Sequence, residues 1–293
     1  MPPFLPKSRM SRSASRRVEI DIDRIFEALP QIGHSNFPDL FKDRVRFFVE
    51  AIEEFRISMG MERHEIQVLD VACGVGKNSL AFAHCGYHVL AIDNGKESID
   101  YLNGENKFTN LETELFDLYK SDFDTLTRRY NVIVVAAILE HLEDPSGILA
   151  RLIDRADEPC LILGDLPNGY GAAEWVHWLR KKIRRSWGKS GSYQKLSDSL
   201  RYKHNYDETD SVTLTDTPHV HDFSWLMLRD LMKENRMESI RIRNVDFLIG
   251  TPVIQKLLLS TRVAQRVDVA FAQWLPRWMA NGWFFSGVCR RGS

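Results

Sequence analysis

The residues best equipped for chemistry cluster in and after Val68-Leu-Asp-Val-Ala-Cys-Gly-Val-Gly-Lys-Asn78. Gly74 and Gly76 allow the backbone to turn tightly and to approach a ligand closely. The N–H groups at the helix start that should follow favour polar or anionic ligand atoms. Asp70 stands four residues before Gly74, and Asp93 closes the next apolar run. A carboxylate there can accept hydrogen bonds from both hydroxyls of a ribose. A glycine pair alone is weak evidence, whereas two acids at this spacing make a nucleoside ligand the favoured reading. His141, His219 and His221 add groups whose ordinary pKa, about 6.5, suits proton transfer near neutrality.

These groups need strand ends and helix starts to hold them, and the apolar pattern supplies both. Phe41, Val45, Phe48, Ile52 and Phe55 recur at steps of three and four, predicting a helix over 37–56 with one buried face. Ile66–Ala72 reads as a strand, Lys77–Cys85 as a helix, Tyr87–Asp93 as a strand and Ser98–Leu102 as a helix. Glu112–Phe116 follows as a weak strand, Val132–Ile138 as a strong one, Pro145–Ile153 as a helix and Cys160–Leu163 as a fifth strand. Such alternation implies a parallel sheet covered by helices on both faces, with ligands at the carboxyl ends of its strands. Residues 166–221 break the rhythm with glycines, aromatics and a basic middle, and are expected to form an inserted lid or acceptor-binding segment. Phe223–Lys233 then reads as a helix, Ile240–Phe247 as a strand and Gly282–Cys289 as a final strand. Val263, Val267, Ala270, Phe271 and Trp274 mark one more helix face, read as core cover.

Composition narrows the class. The 293 residues carry 39 basic and 40 acidic side chains, a net charge of −1, so no global field draws the chain to nucleic acid. Cys73, Cys85, Cys160 and Cys289 are widely spaced and form no CxxC pair, which disfavours a zinc site and a disulfide framework and fits a reducing cytoplasm. No apolar stretch approaches the roughly 20 residues of a membrane span. Residues 1–19 read as a disordered basic leader, 20–60 as N-terminal capping helices, and 61–293 as one domain containing the insertion.

Asp70-x-x-x-Gly74-x-Gly76 resembles the first motif of class I S-adenosylmethionine-dependent methyltransferases, and the resemblance is close over residues 66–165. It implies an α/β, Rossmann-like, doubly wound, mostly parallel seven-stranded sheet with helices on both faces and an inserted lid after strand five. It further implies S-adenosyl-L-methionine as cofactor, bound by Asp70, Ala72, Gly74, Gly76, Asp93, Asn94, Phe116, Asp117 and Ile138. Asp117 would meet the adenine amino group, with Phe116 or Leu118 beside the ring, and the turn Glu140-His141-Leu142 would close the pocket. Ala72 departs from the family's usual glycine. Asn131 departs from its usual aspartate and reads as a strand-start cap. The N/D-P-P-Y/F motif of amino methyltransferases is missing after strand four, which favours small-molecule or glycan acceptors. The segment Thr217-Pro-His-Val-His-Asp-Phe-Ser-Trp-Leu226 is similar to the group containing ubiquinone-biosynthesis O-methyltransferases.

For the acceptor side, His141, His219, His221 and Tyr170 are the candidates, with backbone hydrogen bonding as the alternative role of the histidines. Between Arg180 and Lys203 nine basic residues face one acid, Asp198. With Trp175, Trp178, Leu179, Ile183 and Trp187 at helical spacing, the stretch suits an anionic acceptor, a lipid-linked one, or peripheral contact with a membrane surface. A solvated face packed by its apolar stripe is the alternative. Two other functions keep the fold: a non-catalytic cofactor-binding partner subunit, and an NAD(P)-dependent oxidoreductase, for which Ser79 would be the third small residue of the loop.

Overall fold

The computed structural model describes residues 20–29, 38–172, 175–176, 220–248 and 261–290. The expected leader, the basic stretch and His219 lie outside the described residues. The chain opens with helices α1 (Ile22–Ala28) and α2 (Pro38–Met59) and enters the alternation with β1 (Gln67–Val71), α3 (Lys77–His84), β2 (His88–Asp93), α4 (Lys96–Glu105) and β3 (Leu111–Leu115). It continues through β4 (Tyr130–Ala136), α5 (Pro145–Ile153), β5 (Ala156–Pro167), α6 (Trp225–Glu234), β6 (Met237–Asn244), α7 (Arg262–Ala272) and β7 (Gly282–Cys289).

The strands form one seven-stranded sheet in the order β3-β2-β1-β4-β5-β7-β6. β7 runs antiparallel to both of its neighbours, and the pairs from β3 to β5 are parallel. The expected mostly parallel sheet is therefore present, with one reversed strand near its edge. Side chains alternate across it with the period of two that a pleated strand imposes. Val68, Val132, Val134, Leu161, Leu163 and Phe284 pack with α2 and α3 on one face. Leu69, Val71, Ile133, Val135, Ile162, Trp283 and Phe285 pack with α5 and α6 on the other.

The chain order jumps between β3 and β4, so that β1 pairs with β2 on one side and β4 on the other. In an open α/β sheet this reversal splays the connections and leaves a crevice at the strand carboxyl ends. At the opposite, amino ends of the strands a polar contact ties β4 to β1. Asn131 caps the start of β1: its Oδ1 accepts the Gln67 N–H at 2.9 Å and its Nδ2 donates to the Glu65 carbonyl at 3.1 Å. Replacing this buried amide by alanine strands both backbone groups, and Asn131→Ala is expected to lose about 1–3 kcal/mol of stability in chemical denaturation.

Two elements differ from the pattern read in the sequence. β6 begins at Met237 rather than Ile240, because Ser239 adopts φ +50° and the β6/β7 register shifts between Glu238 and Arg241. That bulge turns Ile240 outward, which strict alternation cannot anticipate. In α7 the apolar face read as core cover points away from the core, while Asp268 and Ala272 are buried. The reason is polar: the Asp268 carboxylate accepts the N–H groups of Phe247 and Leu248, and the Ala272 carbonyl accepts from Asn244 Nδ2 at 2.6 Å.

Candidate functional site

The glycine loop leaves β1 through three residues of positive φ: Ala72 at +53°, Gly74 at +54° and Gly76 at +75°. Gly76 caps α3, where an added Cβ would run into the Leu102 side chain. Ala72 accepts a left-handed backbone at a cost of roughly 1 kcal/mol, which glycine would avoid. Ala137, at the end of the adjacent β4, does the same at φ +52°. Both walls of the crevice thus carry non-glycine residues in an uncommon conformation, a feature that clusters at functional sites.

Two acids hold the loop. Asp93, buried at the end of β2, accepts the Gly74 N–H on Oδ2 at 2.8 Å and the Gly95 N–H on Oδ1 at 2.7 Å. Asp70 is buried beneath the loop and accepts from Ser79 Oγ at 2.5 Å. Burial pushes Asp70 up to about 6, against the opposing pull of the Ser79 hydrogen bond and the Arg44 charge. Ser79 therefore serves Asp70 from the first turn of α3. Asn94 follows Asp93 and is exposed.

Beyond β3, Asp117 accepts the N–H groups of Tyr119 at 2.9 Å and Lys120 at 3.3 Å and pairs with Lys120 Nζ at 3.0 Å. The Tyr119 N–H and the Lys120 contacts hold its carboxyl below the ordinary aspartate value. Phe116 sits in the core with its ring edge-on to Phe123, centroids 5.3 Å apart, and Leu118 is buried as well. Ile138 is buried where the chain turns out of β4.

A charged cluster that the sequence did not single out completes the strand ends. Arg44 of α2 reaches Asp165 of β5 at 3.0 Å. Asp165 pairs in register with Ala136 of β4, three residues before the short helical turn Leu139–His141. Glu140 of that turn is 3% exposed, and its Oε2 finds no hydrogen-bond partner among the described residues; the same holds for Arg44 Nε and Asp165 Oδ1. Burial drives Glu140 up to about 8; its own backbone N–H opposes this, and the Asp165 charge adds to it. Buried polar atoms without partners are rare and costly, so three of them at the carboxyl ends of strands mark a place built for something polar.

Of the expected acceptor-side residues, His141 has Nε2 3.9 Å from Glu140 Oε1. The His221 ring nitrogen lies 3.1 Å from the Glu143 carbonyl, and the N–H groups of Val220 and His221 donate to the Glu140 carbonyl at 2.9 and 3.1 Å. His221 and His141 are thereby brought to one turn. Tyr170 is exposed just after β5. Arg44 and Asp165 are far apart in sequence, and no motif links them; the Glu140-His141-Leu142 turn, expected to close the pocket, was the one legible signal for Glu140.

This sheet order, with its reversed seventh strand and its glycine loop held by two acids, is shared with class I S-adenosylmethionine-dependent methyltransferases, which the chain resembles in fold. The plantazolicin methyltransferase BpumL, solved with SAH, superimposes with a TM-score of 0.50 over 94% of this chain and 92% of its own, at 11% identity. Residues 57–164 match the family described as "Tellurite resistance protein TehB". The ubiquinone biosynthesis O-methyltransferase of Proteus mirabilis is 33% identical over 84 residues, 28% of this chain and 34% of the relative. A probable S-adenosyl-L-methionine-dependent methyltransferase TehB of Haemophilus influenzae is 33% identical over 78 residues, 26% of each chain. The alignments thus span about a third or less of these relatives.

Proposed function

We propose that the protein transfers a methyl group from S-adenosylmethionine to an oxygen of a small-molecule, glycan or lipid-linked acceptor. The observation that carries this reading is the juxtaposition, at the β1/β4 crevice, of the left-handed loop 72–76, Asp93 and the unpartnered polar atoms of Arg44, Asp165 and Glu140. These residues suit the cofactor's chemistry from end to end. A guanidinium can take its carboxylate, and carboxylate oxygens its ammonium. Each Asp93 oxygen retains a lone pair beyond the backbone N–H it accepts, free for a ribose hydroxyl. Asp117 is the candidate for the adenine amino group.

When bound, S-adenosylmethionine supplies a methyl carbon made electrophilic by a sulfonium. An acceptor hydroxyl oxygen attacks that carbon in line, the carbon–sulfur bond breaks, S-adenosylhomocysteine leaves, and the hydroxyl proton passes to a base. Alignment of the two reactants accounts for most of the acceleration such a site can give. His141 is the proposed proton acceptor, with His221 and the insertion at 166–221 bordering the acceptor. The 33% identity over 84 residues with a ubiquinone biosynthesis O-methyltransferase supports oxygen as the nucleophile.

Calorimetric titration with S-adenosylhomocysteine, with NADH as control, tests the cofactor. Binding of the former alone is expected, and binding of NADH alone would overturn the reading. Incorporation of labelled methyl groups into a panel of phenols, glycans and lipid-linked alcohols then tests the acceptor class. Saturable cofactor binding without turnover on any of them would favour the non-catalytic partner subunit.

A further inference from the structure

The charged cluster at the strand carboxyl ends holds one more carboxyl group than it holds arginines to pair with it. Arg44 of α2 is committed to Asp165, with Nη1 3.0 Å from Oδ2. Glu140 is 3% exposed, and its Oε2 has no hydrogen-bond partner among the described residues. Its nearest ion-pair contact there is His141 Nε2 at 3.9 Å from Oε1, beyond hydrogen-bond reach. A carboxylate left unpaired in a dry interior takes up a proton rather than keep its charge, so Glu140 is neutral in the free chain. Its ionisation is pushed up to about 8 by burial above all and by the Asp165 charge, against its own backbone N–H and Arg44.

The titratable and charged groups that face Glu140 come from each element around it. Asp165 belongs to β5, Arg44 to α2 and His141 to its own turn. His221 arrives with the 220–221 segment, whose two N–H groups donate to the Glu140 carbonyl. Asp70 of β1 feels the same Arg44 charge and accepts from Ser79. The set contains no lysine, and its one arginine serves Asp165. A ligand that brings a cation changes this balance. S-adenosylmethionine carries an α-amino group, which is still mostly an ammonium at pH 7. A cation within roughly 4–6 Å of a carboxyl group favours the ionised form and lowers its pKa by about one to three units.

We propose that Glu140 gives up its carboxyl proton when the cofactor's ammonium enters the site, so that cofactor binding releases a proton to solvent. The proposal rests on S-adenosylmethionine being the cofactor. The exchange balances: the carboxyl O–H bond breaks, its proton goes to the buffer, and the carboxylate left behind pairs with the ammonium. The unpartnered Oε2 of Glu140 and Oδ1 of Asp165 are then oxygens that the ligand can satisfy. The new charge on Glu140 also stands beside His141 Nε2 and favours the imidazolium that forms when His141 takes the acceptor's proton. Loading the cofactor thereby readies the base.

Calorimetric titration of the full chain with S-adenosylhomocysteine at pH 7, run in phosphate and again in Tris, counts the protons, because the two buffers differ in heat of ionisation. The wild type is expected to release roughly 0.5–0.9 proton per ligand, and its affinity to rise about three- to eightfold from pH 6.5 to 7.5. Glu140→Gln keeps Asp70, Asp93 and Asp165, and is expected to bind with a proton count near zero and an affinity flat over that range. 5′-Methylthioadenosine, which has the nucleoside and lacks the amino-acid end, should release no proton from the wild type. Three results would overturn the proposal while leaving cofactor binding in place. The wild type could bind S-adenosylhomocysteine without releasing a proton. Glu140→Gln could release as much as the wild type, which would trace the proton to Asp70 or to the ligand's own amine. Methylthioadenosine could release the same proton, which would separate the exchange from the ammonium. No binding of S-adenosylhomocysteine by the folded wild type would instead overturn the cofactor reading, and this inference with it.

Discussion

Asp93→Ala is expected to abolish measurable binding of S-adenosylhomocysteine in calorimetry, a loss of at least about 100-fold. The carboxylate is buried and uses both oxygens on backbone N–H groups, one from the glycine loop and one from the turn into α4. Hydrogen bonds to a charged group are worth roughly 1.5–3 kcal/mol each, and alanine removes two while leaving their donors unpaired. Gly74, at φ +54°, then loses the contact that holds its left-handed conformation. Asp93→Asn keeps one acceptor oxygen and presents an amine to the second N–H, so it should fall between the two. A folded alanine variant with wild-type affinity would remove Asp93 from the cofactor site and leave it a loop clamp only.

The second large effect concerns stability and pH. Glu140 ionises near 8 in the folded chain, raised from about 4.5 by burial, with the Asp165 charge adding and its own backbone N–H and Arg44 opposing. His141 Nε2 lies nearby, 3.9 Å from Oε1. Between those two values the native state holds a proton that the unfolded state has released. Stability from this group is therefore complete below about pH 4.5 and is lost as pH rises through about 8. At roughly 1.4 kcal/mol per pH unit the full effect is a few kcal/mol. Glu140→Gln mimics the protonated form at every pH. It should melt with the wild type near pH 5 and be more stable by roughly 2–4 kcal/mol near pH 9. Asp70 and Asp246, raised by burial to about 6 and about 7, titrate in both proteins and largely cancel in the comparison. Superimposable melting curves across this range would show that Glu140 is solvated or paired. Near neutrality Glu140 therefore keeps its proton in the free chain, and the base of the proposed reaction is His141.

The sequence by itself determined the βαβ unit that carries the glycine loop and its two acids. Asp70-x-x-x-Gly74-x-Gly76 and Asp93 are local features: a strand end, a turn that needs positive φ and an acid at the next strand end lie within one βαβ unit, where spacing alone fixes neighbours. The apolar runs of β1, β2, β4 and β7 were legible for the same reason, since burial on both faces leaves few alternatives to Val, Ile, Leu and Phe. The tertiary structure decided what depends on distant partners. Arg44, Asp165 and Glu140 meet only because α2 crosses the carboxyl ends of β4 and β5, and nothing in their separate stretches records that crossing. Phe116, read as a companion of the cofactor ring, is drawn into the core by Phe123. The bulge at Ser239 turned Ile240 outward, and the hydrogen bonds of Asp268 turned α7 over, because periodicity locates an apolar stripe but not which side of the helix the polar anchors will claim.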